Sequence, residues 1–278
     1  MKTNPNCKIN LGLHVVRRRD DGYHDIESLF LPIPLSDELE IVKADNFTFQ
    51  QDGIILDCNM DDNVVLRAYR MLRESYGNSV SNVSIRLKKN IPFGAGLGGG
   101  SSDAAFTLKM LNDLFNLDIS LADLRAMASR IGADCTFFID NKPSFVSGIG
   151  DKLSPLDFNP IDGFRLILVK PSEAVSTADA YRGITTRQQS GIVAPMPLTE
   201  AVKQPIKDWH RLVVNDFEAT VFKTHPRLKA IKESLYDAGA LYAAMSGSGA
   251  TIFGLFASDS NMEHIAETFR NHGQIFIY

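Results

Sequence analysis

The stretch Pro92-Phe93-Gly94-Ala95-Gly96-Leu97-Gly98-Gly99-Gly100-Ser101-Ser102 places five glycines in seven positions. The run before it, Asn82-Val83-Ser84-Ile85-Arg86-Leu87-Lys88-Lys89, alternates polar and apolar residues at period two, the pattern of a half-buried strand. After it, from Ser102 or Asp103, apolar residues recur at Ala104, Leu108, Leu111 and Phe115, the stripe of a helix that starts on a capping side chain. Glycines in such a position let successive backbone N–H groups approach an anion, and the helix adds its unpaired N–H groups and positive dipole end. Phosphate suits that chemistry. A flexible or tightly packed turn is the structural alternative.

Gly94, Gly96 and Gly99 also satisfy G-x-G-x-x-G, which by itself suggests dinucleotide binding. That fold requires a second parallel strand after the helix, with an acidic residue at its end for a ribose. Here a second helix follows: Ser120-Leu121-Ala122-Asp123 reads as a capping box, Leu124, Met127 and Ile131 continue the stripe, and Gly132 stops it. A Walker A loop would carry lysine where Gly100 stands, so a cation for the β and γ phosphates has to come from elsewhere in the chain.

Further out, the pattern predicts a helix over 62–76 ended by Gly77, and strands near 39–42, 145–149 and 164–169. Gly191, Pro195, Pro197 and Pro205 predict irregular structure over 185–209, with room for one short helix. A later helix is expected from Pro226 to Gly239. Residues 238–258 carry no charge and are long enough to cross a bilayer. Gly247 and Gly249 in Ser246-Gly247-Ser248-Gly249 divide them into two apolar pieces, 240–245 and 251–256, better read as strands flanking a loop. Turn formers in Ser154-Pro155-Leu156-Asp157-Phe158-Asn159-Pro160 mark a boundary, giving two α+β domains, 1–155 and 156–278.

The chain has 278 residues, enough for such a pair, and its 44% hydrophobic and 22% charged residues are those of a folded globular protein. A formal net charge of −4 argues against a general nucleic-acid or acidic-membrane binder. Cys7, Cys58 and Cys135 show neither C-x-x-C nor paired spacing, which predicts no disulfide framework, no zinc site and a reducing cytoplasm. The first residues, Met1-Lys2-Thr3-Asn4-Pro5-Asn6, contain no apolar run of signal-peptide length. The six histidines form no H-E-x-x-H or close pair.

Lys8, in Cys7-Lys8-Ile9-Asn10-Leu11-Gly12-Leu13, opens an apolar strand-like run; it is either a solvated strand end or a cation turned toward an anion. Asp134, in Gly132-Ala133-Asp134-Cys135-Thr136-Phe137-Phe138-Ile139, follows a helix and precedes an apolar stretch read as a strand, where an acid can cap or catalyse. Arg17-Arg18-Arg19-Asp20-Asp21-Gly22-Tyr23-His24 reads as a charged turn at Asp21-Gly22, and alternatively as a base site in which Tyr23 stacks and His24 bonds a base edge.

Together, the segments Lys8-Ile9-Asn10-Leu11, residues 92–102 and Ser246-Gly247-Ser248-Gly249-Ala250-Thr251 resemble the three shared motifs of the galactokinase, homoserine kinase, mevalonate kinase and phosphomevalonate kinase superfamily, in order across nearly the whole chain. Arg18-Arg19-Asp20-Asp21-Gly22-Tyr23-His24 and Gly132-Ala133-Asp134 are similar to the branch acting on a cytidine diphosphate conjugate of methylerythritol. The resemblance implies an α+β small-molecule kinase of two domains, with a left-handed crossover in the N-terminal, ATP-binding domain, a substrate-binding C-terminal domain and an active site between them. It implies ATP-dependent phosphorylation of the 2-hydroxyl of that conjugate, in the non-mevalonate route to isoprenoids, with ATP and magnesium. By the same resemblance Asp134 takes the hydroxyl proton, Lys8 stabilises the developing charge, residues 92–102 hold ATP and Asn10 positions the acceptor. Tyr23 and His24 contact cytosine, and Tyr181, after Ser176-Thr177, stacks on its other face, with Thr177 beside it. Ser101 is a magnesium candidate through its hydroxyl. Pro5-Asn6-Cys7 stands where the superfamily branch commonly has Pro-Ala, and Cys135-Thr136 where it has Val-Pro.

Overall fold

The computed structural model of the protein describes residues 1–54 and 62–278; Cys58 lies outside the described residues. Along the chain the strands and helices are β1 (Lys2–Thr3), β2 (Asn6–Arg18), β3 (His24–Ser36), β4 (Glu38–Lys43), β5 (Thr48–Gly53), α1 (Val64–Tyr76), β6 (Val83–Lys89), α2 (Gly99–Phe115), α3 (Leu121–Ile131) and α4 (Cys135–Asp140). They continue as β7 (Ser144–Ser147), β8 (Lys152–Pro155), β9 (Arg165–Lys170), α5 (Thr177–Tyr181), α6 (Arg187–Ser190), α7 (Leu198–Ala201), α8 (Trp209–Leu212), α9 (Glu218–Thr224), α10 (Pro226–Asp237), β10 (Tyr242–Met245), β11 (Ile252–Phe256), α11 (Met262–Phe269) and β12 (Gln274–Ile277). These pack as two compact units, Met1–Lys8 with Pro32–Phe93 and Gly98–Lys142, and Ile9–Leu31 with Gly94–Leu97 and Pro143–Tyr278. The two units are interleaved along the chain, a different partition from a single boundary at 155/156. β2 and β3 each run from one unit into the other, and the glycine loop is divided between them.

In the first unit a sheet of order β1-β4-β6-β5 is antiparallel except for the pair β5–β6, which is parallel. α1 forms because Asn63 accepts the Val65 N–H at one end and Gly77, at φ 54°, closes the other, while Val65, Leu66, Ala68, Tyr69 and Leu72 bury one face. α3 starts on the Ser120 hydroxyl, which accepts the Asp123 N–H, and stops at Gly132 as its sequence predicts. Two expectations fail here. α2 starts at Gly99 rather than at Ser102 or Asp103, and its cap is Gly98, at φ 70° and with no side-chain bond. A glycine takes that left-handed turn without steric cost, so the helix needs no capping side chain. The stretch 135–139, read as a strand, is the helix α4; its residues are all buried, so the apolar run carries no period to separate the two.

In the second unit an antiparallel sheet of order β10-β11-β9-β12 joins Leu13, Val15, Leu228, Ile231 and Phe269 in one core. Truncating a buried leucine there to alanine removes about 2 to 5 kcal/mol. A further sheet has the order β2-β3-β7-β8. Residues 185–209 hold two short helices, α6 and α7, and a 3₁₀ turn before α8 starts, against the one short helix expected. The uncharged stretch 238–258 contains the antiparallel pair β10–β11, and among the described residues no helix is long and apolar enough to cross a membrane.

Candidate active site

The first unit carries a cation, a carboxylate and a helix start. Along α2 the earliest N–H with a partner in the helix turn is that of Ser102, to the Gly98 carbonyl at 2.9 Å, so the N–H groups of Gly99, Gly100 and Ser101 precede the ladder. Lys8 lies beside this start: a Cβ on Gly98 would come within 3.2 Å of Lys8 Cε and 3.1 Å of the Phe138 ring. Lys8 is thus no solvated strand end; its side chain is 4% exposed and its Nζ stands 3.4 Å from Asp134 Oδ2. Asp134 precedes α4 in a helical conformation and makes no capping bond, so that its carboxylate, one-third exposed, is not consumed by the helix.

Neighbouring polar atoms in this unit are only partly used. The hydroxyls of Ser102 and Thr136 are buried without a partner. Burial pushes the Cys135 thiol up to about 11, opposed by a hydrogen bond with Ser101, and burial also raises the fully enclosed Cys7. Both thiols are therefore inert packing groups at neutral pH. Among the described residues no three His, Cys, Asp or Glu side chains gather as a metal cage.

Deeper in the same unit is a cluster that the motifs do not show. Lys89, at the end of β6, bonds Asp37 and, at 2.6 Å, Asp103 in α2. The other Asp37 oxygen accepts the N–H groups of Asn90 and Ile91 at 2.5 and 2.8 Å. All three side chains are buried, and they tie the strand before the glycine loop to the helix after it. Burial lifts Asp103 well above the ordinary carboxylate value despite Lys89; burial also lowers Lys89, but Asp103 and Asp37 more than offset that. The one available signal was Asp103 itself, a charge beside Ala104 in an apolar stripe.

In the second unit the glycine motif near the C-terminus holds residues 94–97. Gly96 has φ 73°, and a Cβ there would fall 2.1 Å from the Ser246 carbonyl oxygen, which leaves room for glycine alone. The Ser246 hydroxyl donates to the Gly96 carbonyl at 2.9 Å and accepts the Asn10 N–H at 3.2 Å; Thr251 N–H reaches the Ala95 carbonyl at 3.3 Å. Asn215 donates to the carbonyls of Met245 and Gly247 at 2.7 and 2.8 Å. Asn10 gives its amide to Ser28 at 3.0 Å, and Ser28 donates onward to the Gly12 carbonyl at 2.6 Å. Ser246, Asn215 and Ser28 thus support the expected residues from a distance that no local motif spans.

The β2–β3 turn is also in this unit. His24 stacks on Tyr181, centroids 4.6 Å apart and planes 19° from parallel, and Tyr181 meets Phe217 edge-on. Tyr23 is 63% exposed. Thr177, at the start of α5, shares a 3.1 Å hydrogen bond with Ser248. Burial and then Arg18 hold His24 below the ordinary histidine value, so its ring is neutral at pH 7 with one donor and one acceptor nitrogen.

A helix start whose first N–H groups precede its ladder and a buried lysine paired with a partly exposed carboxylate suit phosphoryl transfer, and the similarity to known proteins agrees. The GHMP kinase N-terminal domain matches residues 63–148 and the GHMP kinase C-terminal domain residues 198–275. The chain belongs to the GHMP kinases, ATP-dependent phosphotransferases. It is 49% identical over 260 residues, 93% of each chain, to the 4-diphosphocytidyl-2-C-methyl-D-erythritol kinase of Parabacteroides distasonis. The enzyme of the same name from Bacteroides fragilis is 44% identical over 266 residues, 94% of each chain. A crystal structure of 4-(cytidine 5'-diphospho)-2C-methyl-D-erythritol kinase superimposes with a TM-score of 0.84 at 31% identity, covering 100% of this chain and 98% of the other.

Proposed function

We propose that the protein transfers the γ-phosphoryl group of ATP to the 2-hydroxyl of 4-diphosphocytidyl-2-C-methyl-D-erythritol. The observation that carries the chemistry is the Lys8–Asp134 pair, 3.4 Å apart in the unit that contains the α2 helix start. In this reading Asp134 accepts the hydroxyl proton as the new O–P bond forms and the bond to the ADP oxygen breaks. Lys8 offsets the charge that gathers on the transferred group and keeps the Asp134 carboxylate aimed. Residues 92–102 hold the polyphosphate, with the N–H groups of Gly99, Gly100 and Ser101 as donors, Asn10 orients the acceptor, Tyr23 and His24 bind cytosine, and Thr177 and Tyr181 complete that side.

Magnesium fits as an ion carried mostly by the phosphates, since the described residues offer no carboxylate cage and the partnerless Ser102 hydroxyl lies in the first turn of α2. Ser101, bonded to the Cys135 thiol, is the less free of the two hydroxyls. Bound there, the ion would screen the phosphates. The unpaired cysteine pattern supports a cytoplasmic location.

The test is ADP release from ATP with the cytidine diphosphate conjugate, homoserine, mevalonate or a sugar as acceptor. Turnover with the conjugate alone is expected. Turnover with another acceptor and none with the conjugate would overturn the substrate and leave the kinase.

A further inference from the structure

The β2–β3 turn has two faces of opposite electrostatic character. Arg19 N–H bonds the Tyr23 carbonyl at 2.8 Å, which sets Arg18 opposite His24 and Arg17 opposite Asp25 in the hairpin. On the Arg17 face both arginines are answered: Arg17 binds Asp25 at 2.5 Å, and Arg19 bonds Asp21 at 3.1 Å and Asp25 at 3.2 Å. Opposite residues of a hairpin share a face, so Arg18 projects on the His24 side, where His24 stacks on Tyr181. Arg18 makes no ion pair with any carboxylate among the described residues, and its charge is felt at His24. The sequence spends two aspartates neutralising Arg17 and Arg19 and none on the arginine between them.

A guanidinium without a carboxylate partner, beside an imidazole that stacks on an aromatic ring, suits a ligand with a flat base and an anion one sugar away. We infer that Arg18 is a specificity-determining residue that binds the diphosphate of the acceptor, next to the His24–Tyr181 platform that receives the base. The assignment rests on the proposed cytidine diphosphate acceptor. It adds a discrimination that base contacts do not supply: a nucleoside without phosphates is bound weakly even when its base is correct.

The experiment compares cytidine, CMP and CDP binding to the full-length protein and to Arg18→Gln by calorimetry at fixed ionic strength. For the unaltered protein, affinity should rise about tenfold from cytidine to CDP, the scale of one charge-assisted contact. Arg18→Gln should lose most of that rise while cytidine affinity changes less than about twofold, and Arg18→Lys should recover part of it. Acceptor KM in the ADP-release assay should rise in parallel, with ATP KM unmoved. An equal gain from cytidine to CDP in both proteins overturns the role of Arg18 and leaves the acceptor assignment intact. Failure of the unaltered protein to bind any of the three overturns the acceptor assignment, and Arg18 with it.

Discussion

Two lysine–aspartate sites in the same unit differ in a way that separates structure from chemistry. Lys89 is held by two aspartates on its ammonium, with two backbone N–H groups on Asp37, and nothing in the cluster is more than 3% exposed. Lys8 meets one carboxylate at 3.4 Å, and that carboxylate is 33% exposed. A fully enclosed ion cluster gives a ligand no access; removing one member costs stability because a partner remains buried and uncompensated. A buried cation beside a half-open acid leaves that acid a path to solvent. Position in the fold follows: the first cluster joins the two ends of the glycine loop, and the second sits where that loop becomes a helix.

Exchanging the roles gives the sharpest break. Lys8→Met should lower kcat about 10² to 10³-fold, as loss of a charge-stabilising donor does, with Tm nearly unchanged, since Asp134 stays partly solvated. A large fall in Tm with modest loss of turnover would place Lys8 with Lys89 instead. Lys89→Met should do the reverse, costing about 3 to 5 kcal/mol by stranding Asp37 and Asp103. Because burial raises the Asp103 carboxyl well above the ordinary carboxylate value, Asp103→Asn should cost less than Lys89→Met. Chemical denaturation reads both. Equal destabilisation by the two variants would show Asp103 ionised in the fold.

A smaller effect concerns a buried histidine in the second unit. His14 is 2% exposed, its Nε2 has no partner, and burial with Arg187 nearby lowers it from 6.5 to about 4, against the pull of Asp216. The folded state thus prefers the neutral ring, and the unfolded chain binds the extra proton between those values. His14 contributes its full stability above pH 6.5 and loses it as pH falls toward 4, about 3 kcal/mol at the limit. Tm should fall more steeply from pH 7 to pH 4.5 in the unaltered protein than in His14→Phe. Parallel slopes would contradict this.

What was legible in the sequence follows the range of the interactions. Five glycines in one run, the Ser120 cap and Gly132 act within a turn or two, so the loop and α3 were readable. Lys8 and Asp134 could be named by resemblance, but their approach depends on β2 lying beside α4, which no local pattern records. Ser28, Asn215 and Ser246 act on Asn10 and the glycine loop through hydrogen bonds between remote segments. The helix at 135–139 is illegible in the sequence because an apolar stretch buried on every side has no periodicity to betray it.

The central claim is that the half-open carboxylate performs the proton transfer while the glycine amides bind ATP independently of it. Asp134→Asn, assayed for ADP release and for ATP affinity in one preparation, addresses it directly. Turnover should fall about 10² to 10⁴-fold with ATP affinity within about twofold of the unaltered protein. Retained turnover, or a parallel collapse of ATP binding, would contradict it.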